Sequence, residues 1–141
     1  MNLPVKKLDP EAKIPERAHE SDAGLDLFTL DQGVVEINET IILRTGIAMA
    51  IPEGYVGLIW DKSGLAANYG LTCLGGVIDA GYRGEIMIKL ANLGTEAYTI
   101  TKHQKIAQLL IQPVALPQLE EVKELDETER GDAGFGSTGT H

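Results

Sequence analysis

Aromatic side chains are scarce in this 141-residue chain, at 5% of residues, and cysteine occurs once, at Cys73. A lone thiol excludes an internal disulfide framework and fits a reducing compartment. With so few rings, any core has to be built mainly from Val, Ile, Leu and Ala. Positive charge is also in short supply: 12 Lys and Arg stand against 21 Asp and Glu, for a formal net charge of −9. Phosphate backbones call for a basic surface, so no nucleic-acid polymer is expected as a partner. A single nucleotide in a local basic pocket, with a metal ion, stays open. No apolar run approaches membrane-spanning length, and the opening Met1–Lys7 stretch lacks the apolar region of a signal peptide. The expectation is a cytosolic domain, cytoplasmic in location, with no membrane partner.

The hydrophobic content of 43% and charged content of 23% are those of a soluble globular protein, and the length suits one domain. Its apolar runs are short and broken by Gly, Pro, Asn and Asp, the spacing of an all-β sandwich or jelly roll. The pattern predicts strands at Val5–Leu8, Leu25–Thr29, Val34–Ile37, Thr40–Ala50, Tyr55–Trp60, Leu71–Leu74, Ile86–Ala91, Tyr98–Thr101 and Ile106–Gln112. Alternation is clearest where Ile86, Ile88 and Leu90 share an inward face. One short helix is expected at Ser63–Asn68, with Ser63 as its cap and Gly70 closing it. Past Pro117 the composition shifts to charge-dense Glu120–Arg130 and then a Gly-, Ser- and Thr-rich stretch. The expected division is a β domain over residues 1–117 and a charged linker with a flexible arm over 118–141. Such a tail buries too little apolar area to fold alone, so a disordered terminus is the alternative.

Chemistry-bearing residues cluster in five places. Gly75–Ile86 reads as two strands joined by a turn at Ala80-Gly81, with Asp79 ending the first and Tyr82-Arg83 opening the second. Val77 and Ile78 would pin Asp79 on a buried or half-buried hairpin; the alternative is an Asp that caps its own surface turn. Asp26 lies between Leu25 and Leu27, facing away from both, free for a metal-bound water or backbone amides. Lys62, Ser63 and Gly64 join a cation, a hydroxyl and a glycine at a helix start, a ready phosphate site, unless they are only a helix cap and a surface lysine. Gln108 is a polar residue in an apolar run and needs a partner, either a backbone group or a ligand oxygen. Arg130–Gly139 lacks the lysine and the strand–helix setting of a phosphate-binding P-loop.

Taken in order, Ala23-Gly24-Leu25-Asp26-Leu27, Ser63-Gly64-Leu65-Ala66, Gly76-Val77-Ile78-Asp79 with Tyr82-Arg83-Gly84, Lys105-Ile106-Ala107-Gln108-Leu109 and Arg130–Gly139 resemble the five motifs of the trimeric dUTP pyrophosphatase (dUTPase) family. The resemblance implies an all-β, jelly-roll-like fold with one short helix. It also implies a homotrimer with shared active sites and hydrolysis of dUTP to dUMP and pyrophosphate with Mg²⁺. It makes Asp79 the base that activates water, and Asp26 a metal contact through water. It assigns the phosphates to Lys62, Ser63, Gly64 and Gln108, and the uracil edge to the backbone of Gly76, Val77 and Ile78. Tyr82 would pack on the deoxyribose, Met87 would line the nucleotide, and Phe135 would stack on the base. Arg130, Gly136, Ser137 and Thr138 would close over the γ-phosphate as part of a mobile arm. Three departures stand out: Lys62 replaces an Arg, Cys73 an Asn that contacts the base in several bacterial members, and His103 a Gly. Lysine keeps the charge of arginine but loses the planar fork that grips two oxygens at once.

Two rivals have features of their own. A dCTP deaminase shares the fold but needs a Glu on the strand after the turn, where this chain presents Met87 and Lys89. A nucleotide-gated regulatory protein on the same scaffold would bind its ligand and signal to protein partners.

Overall fold

The computed structural model describes residues 1–137 and 139. Eleven strands and one helix follow in the order β1 (Val5–Lys7), β2 (Leu25–Phe28), β3 (Gly33–Val35), β4 (Thr40–Arg44), β5 (Ile47–Met49), β6 (Tyr55–Asp61), α1 (Ser63–Tyr69), β7 (Leu71–Leu74), β8 (Val77–Ile78), β9 (Met87–Asn92), β10 (Tyr98–Ile100) and β11 (Lys105–Pro113). All pairings are antiparallel and form small sheets: β2-β11-β6-β8, β4-β9-β7, and the pairs β1-β5 and β10-β3. This is the all-β, jelly-roll-like architecture expected from the spacing of the apolar runs. Its core is aliphatic: Leu27, Leu43, Ile47, Ile88, Ile100 and Leu109 are all buried in one cluster that holds no buried aromatic residue. Ile86, Ile88 and Leu90 share the inward face as predicted, while Met87 and Lys89 point out.

The structure corrects three expectations. The run Thr40–Ala50 is two strands, broken where the Thr45 hydroxyl turns to the Ile86 carbonyl and the Gly46 N–H to the Glu85 carboxylate. Ser63 is the first helical residue and not the cap; Lys62 holds the N-cap position with an extended backbone and no side-chain cap bond. The turn at Ala80-Gly81 is present, closed by the Tyr82 N–H on the Asp79 carbonyl at 3.0 Å, but its flanks do not form a hairpin. β8 pairs with β6, and β9 lies between β4 and β7 in another sheet. The Tyr82 hydroxyl donates to the Glu85 carbonyl and the Arg83 guanidinium to the Ala80 carbonyl, so the segment closes on itself as a loop.

Gly70 ends α1 in the left-handed region, with φ +69°, and a Cβ there would meet the Gly94 nitrogen at 2.5 Å. Opposite it, Asn92 is fully buried and carries three bonds. Its amide nitrogen donates to the Val35 and Glu96 carbonyls, and its oxygen accepts from the Gly94 N–H. Nothing in the apolar pattern announces this residue. Beyond Pro113 there is no strand or helix among the described residues. Among the described residues, the Val114 N–H on the Gly54 carbonyl is the last backbone tie to the body, and later hydrogen bonds run within residues 128–139. Among the described residues no helix is long and apolar enough to cross a membrane.

Removing a buried amide leaves its partners unpaired, at about 1–3 kcal/mol for each group stranded. Asn92→Ala is therefore expected to lower the urea midpoint, with a loss of about 3 kcal/mol in unfolding free energy. An unchanged midpoint would show that water replaces the amide at no cost.

Candidate active site

The register of the four-stranded sheet sets the geometry. Asp26 on β2 stands opposite Gln108 on β11, which stands opposite Trp60 on β6. Directly opposed residues share a face, so these three project from one side while Leu25, Leu109 and Ile59 pack on the other. A register shift between Lys105 and Ala107 marks a bulge in β11. Because of it Lys105 pairs with Phe28 and reaches the same face as Asp26, which strict alternation would have denied it.

Asp26 is 4% exposed and has both carboxylate oxygens occupied. Oδ1 accepts from Lys62 Nζ at 2.5 Å and Oδ2 from Lys105 Nζ at 2.9 Å. Lys105 also lies 3.5 Å from Glu16 and over the Phe28 ring. Burial alone would raise the Asp26 pKa; the hydrogen bonds and charges of Lys62 and Lys105 outweigh it and hold the carboxyl below its ordinary 3.8. The same pairing raises the pKa of Lys105. Asp26 faces away from the leucines as predicted, but it is locked between two lysines and is not open to solvent. Lys105 is a member that the sequence reading left out, since a bulge leaves no mark in the apolar pattern.

A second cluster surrounds a cavity of about 260 Å³ whose lining includes Trp60, Asp61, Thr72, Cys73, Gly76 and Val77. Gly76 has φ +98°, and a Cβ would come within 2.9 Å of the Ile59 carbonyl oxygen. Its own carbonyl accepts from the Ile59 N–H at 2.8 Å. Only glycine lets the backbone press this close to β6. The Cys73 thiol is half-buried and pushed up to about 12, first by burial and then by the Asp61 carboxylate. Gln108 is satisfied in this chain by a backbone group: its amide nitrogen donates to the Asp61 carbonyl at 2.8 Å.

The other predicted residues lie around these clusters. Ser63 and Gly64 are exposed in the first turn of α1, where backbone N–H groups lack helical partners. Asp79 is exposed on the loop after β8, not pinned inside, because Val77 is itself 64% exposed and Ile78 only half-buried. Tyr82 is exposed on the same loop. Met87 lies on β9, opposite Arg44, in a different sheet from the cavity strands β6 and β8. In the arm, Arg130 bonds to the Ala133 carbonyl, and Phe135, Gly136 and Ser137 are exposed. Thr138 lies outside the described residues. One chain thus brings Asp26 to Lys62, and Gln108 to the Asp61 carbonyl, but leaves Met87 and the arm apart from them.

His103 takes φ +65° at the turn before β11. Its N–H donates to the Thr29 carbonyl and its ring bonds the Glu11 carbonyl, so a glycine conformation is held here by a tethered side chain.

An all-β domain with a small cavity of mixed apolar and polar lining beside a lysine, a hydroxyl and a helix start has the parts of a nucleotide-binding domain. The sequence matches the dUTPase family model over residues 10–139, and the chain belongs to that family. Deoxyuridine 5'-triphosphate nucleotidohydrolase of Clostridium acetobutylicum is 47% identical over 141 residues, covering 99% of this chain and 97% of its own. The protein of the same name from Mycolicibacterium gilvum is 48% identical over 148 residues, covering 99% and 96%. Among solved structures, a mutant dUTPase of Staphylococcus bacteriophage 80alpha with dUpNHpp gives a TM-score of 0.92 at 35% identity over 99% of both chains. A mutant dUTPase of phage phi11 of S. aureus, solved to show how a structural Mg(II) ion is coordinated, gives 0.83 at 33% identity, over 88% of this chain and 98% of its own.

The depressed pKa of Asp26 has a definite sign. Its stabilising effect is complete above the unfolded-state pKa and is lost as pH falls through the lower folded-state value. The stability difference between the parent and Asp26→Asn should therefore shrink as pH drops below 3.8. Urea unfolding from neutral pH down to about pH 3 measures this, and a constant gap would mean that the lysines do not hold the carboxylate.

Proposed function

We propose that the chain hydrolyses dUTP to dUMP and pyrophosphate, keeping uracil out of DNA and supplying dUMP for dTTP synthesis. The observation that carries the reading is the cavity walled by Cys73, Gly76 and Val77, one residue along β6 from Lys62 and the α1 start. It offers a base site and a phosphate site in one continuous stretch. Family membership and the names of the full-length relatives support the same reaction.

In this reading the backbone of Gly76, Val77 and Ile78 reads the uracil edge, and Tyr82 packs on the sugar. The Lys62 ammonium, the Ser63 hydroxyl, the Gly64 N–H and Gln108 hold the phosphates. Asp79 takes a proton from water, the water oxygen bonds to the α-phosphorus, and the bridging P–O bond breaks to release pyrophosphate. Exposure suits Asp79 to this role, since it is open to water before the arm closes.

Among the described residues no three His, Cys, Asp or Glu side chains converge on a metal-sized point. A lone carboxylate such as Asp26 fits Mg²⁺ that is held chiefly by phosphate oxygens and water, and not a cation bound by protein alone. When bound with the triphosphate, Mg²⁺ supplies charge neutralisation at the phosphates. Asp26 would meet it through water once Lys62 turns from Oδ1 to the incoming phosphates.

The body over residues 1–117 carries these groups, and the arm over 118–141 closes the site with Arg130, Phe135, Gly136, Ser137 and Thr138. The assembly is a homotrimer with shared sites. Trp60, Leu74, Val77 and Met87 are all 44% exposed or more in the single chain, which suits burial against neighbouring copies.

Pyrophosphate release with Mg²⁺ from dUTP, dCTP, dTTP and UTP in parallel tests the reading. Release from dUTP alone is expected, and ammonia from dCTP would move the chain to the deaminase branch. Asp79→Asn should lower kcat by about 10²–10⁴-fold while dUMP still binds. Full activity in that variant would remove Asp79 from the role of base.

A further inference from the structure

Asp61 ends β6 and directly precedes Lys62, yet neither the apolar pattern nor the motif match singles it out. Its carboxylate spans the gap to the far end of the helical excursion. Oδ2 accepts from the Thr72 hydroxyl at 2.8 Å, and Oδ1 accepts from the Cys73 backbone N–H at 2.6 Å. Its main-chain carbonyl accepts from Gln108 at 2.8 Å.

These bonds stand where no ladder exists. β6 belongs to the four-stranded sheet, and β7 is the edge strand of β4-β9-β7, so the two strands share no pairing. An edge strand presents N–H groups with no strand partner. The Asp61 side chain supplies that partner at Cys73, and so closes the loop that carries α1 out of the body and back. A charge-assisted bond is the stronger kind for this purpose.

Both ends of the proposed ligand meet at this residue. Asp61 lines the cavity together with Thr72 and Cys73, and the next residue along the chain is the phosphate-site lysine. We propose that Asp61 is a positioning residue that fixes the spacing between the base cavity and the phosphate turn. This rests on the nucleotide reading above. It predicts that Asp61 matters most to ligands gripped at both ends at once, and little to a ligand that occupies the phosphate turn alone.

The test compares the parent with Asp61→Ala, Asp61→Asn and Thr72→Val in the full-length protein. Binding of dUMP is followed by calorimetry and by fluorescence of Trp60, the chain's single tryptophan, which lines the same cavity. Inorganic pyrophosphate serves as the probe of the phosphate turn alone. For Asp61→Ala the dissociation constant of dUMP and KM for dUTP should rise about tenfold or more, with pyrophosphate binding within about twofold of the parent. Asp61→Asn should recover most of the loss, because an amide keeps an acceptor for the Cys73 N–H and a donor for the Thr72 oxygen. Thr72→Val, which breaks only one of the bonds, should fall between the parent and Asp61→Ala.

Unchanged dUMP binding in Asp61→Ala would overturn the proposal. So would equal weakening of dUMP and pyrophosphate together with a lowered Tm and no recovery in Asp61→Asn, which marks a purely structural residue. A parent that binds dUMP without hydrolysing dUTP would sink the reaction but leave the Asp61 comparison decisive. A parent that binds no dUMP would overturn both.

Discussion

A carboxylate held between two ammonium groups at the edge of an aliphatic core governs how this molecule is arranged. Asp26 could not be buried alone, because a bare charge in low dielectric is expensive. Its two partners come from different parts of the chain, Lys62 from the start of α1 and Lys105 from the bulge of β11. The cluster therefore ties β2, the end of β6 and β11 together on the face opposite the hydrophobic side of their sheet. With Glu16 beside Lys105, the cluster is balanced, two ammonium groups facing two carboxylates.

The arrangement also gives meaning to lysine at position 62. An arginine fork could bridge two oxygens of one phosphate, whereas an ammonium is a point charge on a flexible stem. Here that stem reaches Asp26 from the N-cap of α1, whose backbone bonds leave the lysine side chain free of any capping duty. In the proposed function the same side chain would serve an internal carboxylate before a ligand arrives and an external phosphate afterwards, by a change of rotamer and no movement of the backbone.

Much of the fold could be read from the chain because strands with one buried face write an alternating pattern. Ile86 just before β9, Ile88 and Leu90 on it, and the Gly70 stop of α1, were legible on local grounds. Pairing was not. The stretch around Asp79 looked like a hairpin because a tight turn with apolar flanks is a local signal, while the choice of partner strand is set by the whole sheet. Polar groups that act over distance were equally silent. Asn92 joins three segments, Asp61 closes a helical excursion, and Lys105 changes face through a bulge; none of these has a periodic signature. At the candidate site, the order of motifs pointed to Asp26, Lys62, Gly76, Asp79 and Gln108, but gave no sign that Gln108 is satisfied by a backbone carbonyl.

The thiol at Cys73 gives the cavity an unusual chemical quietness. Burial and then the Asp61 carboxylate hold its pKa well above the ordinary thiol value, so the thiol stays protonated at neutral pH. Peroxides, electrophiles and mixed disulfides all react through the thiolate. In the cavity wall this cysteine therefore behaves much as a small apolar side chain would.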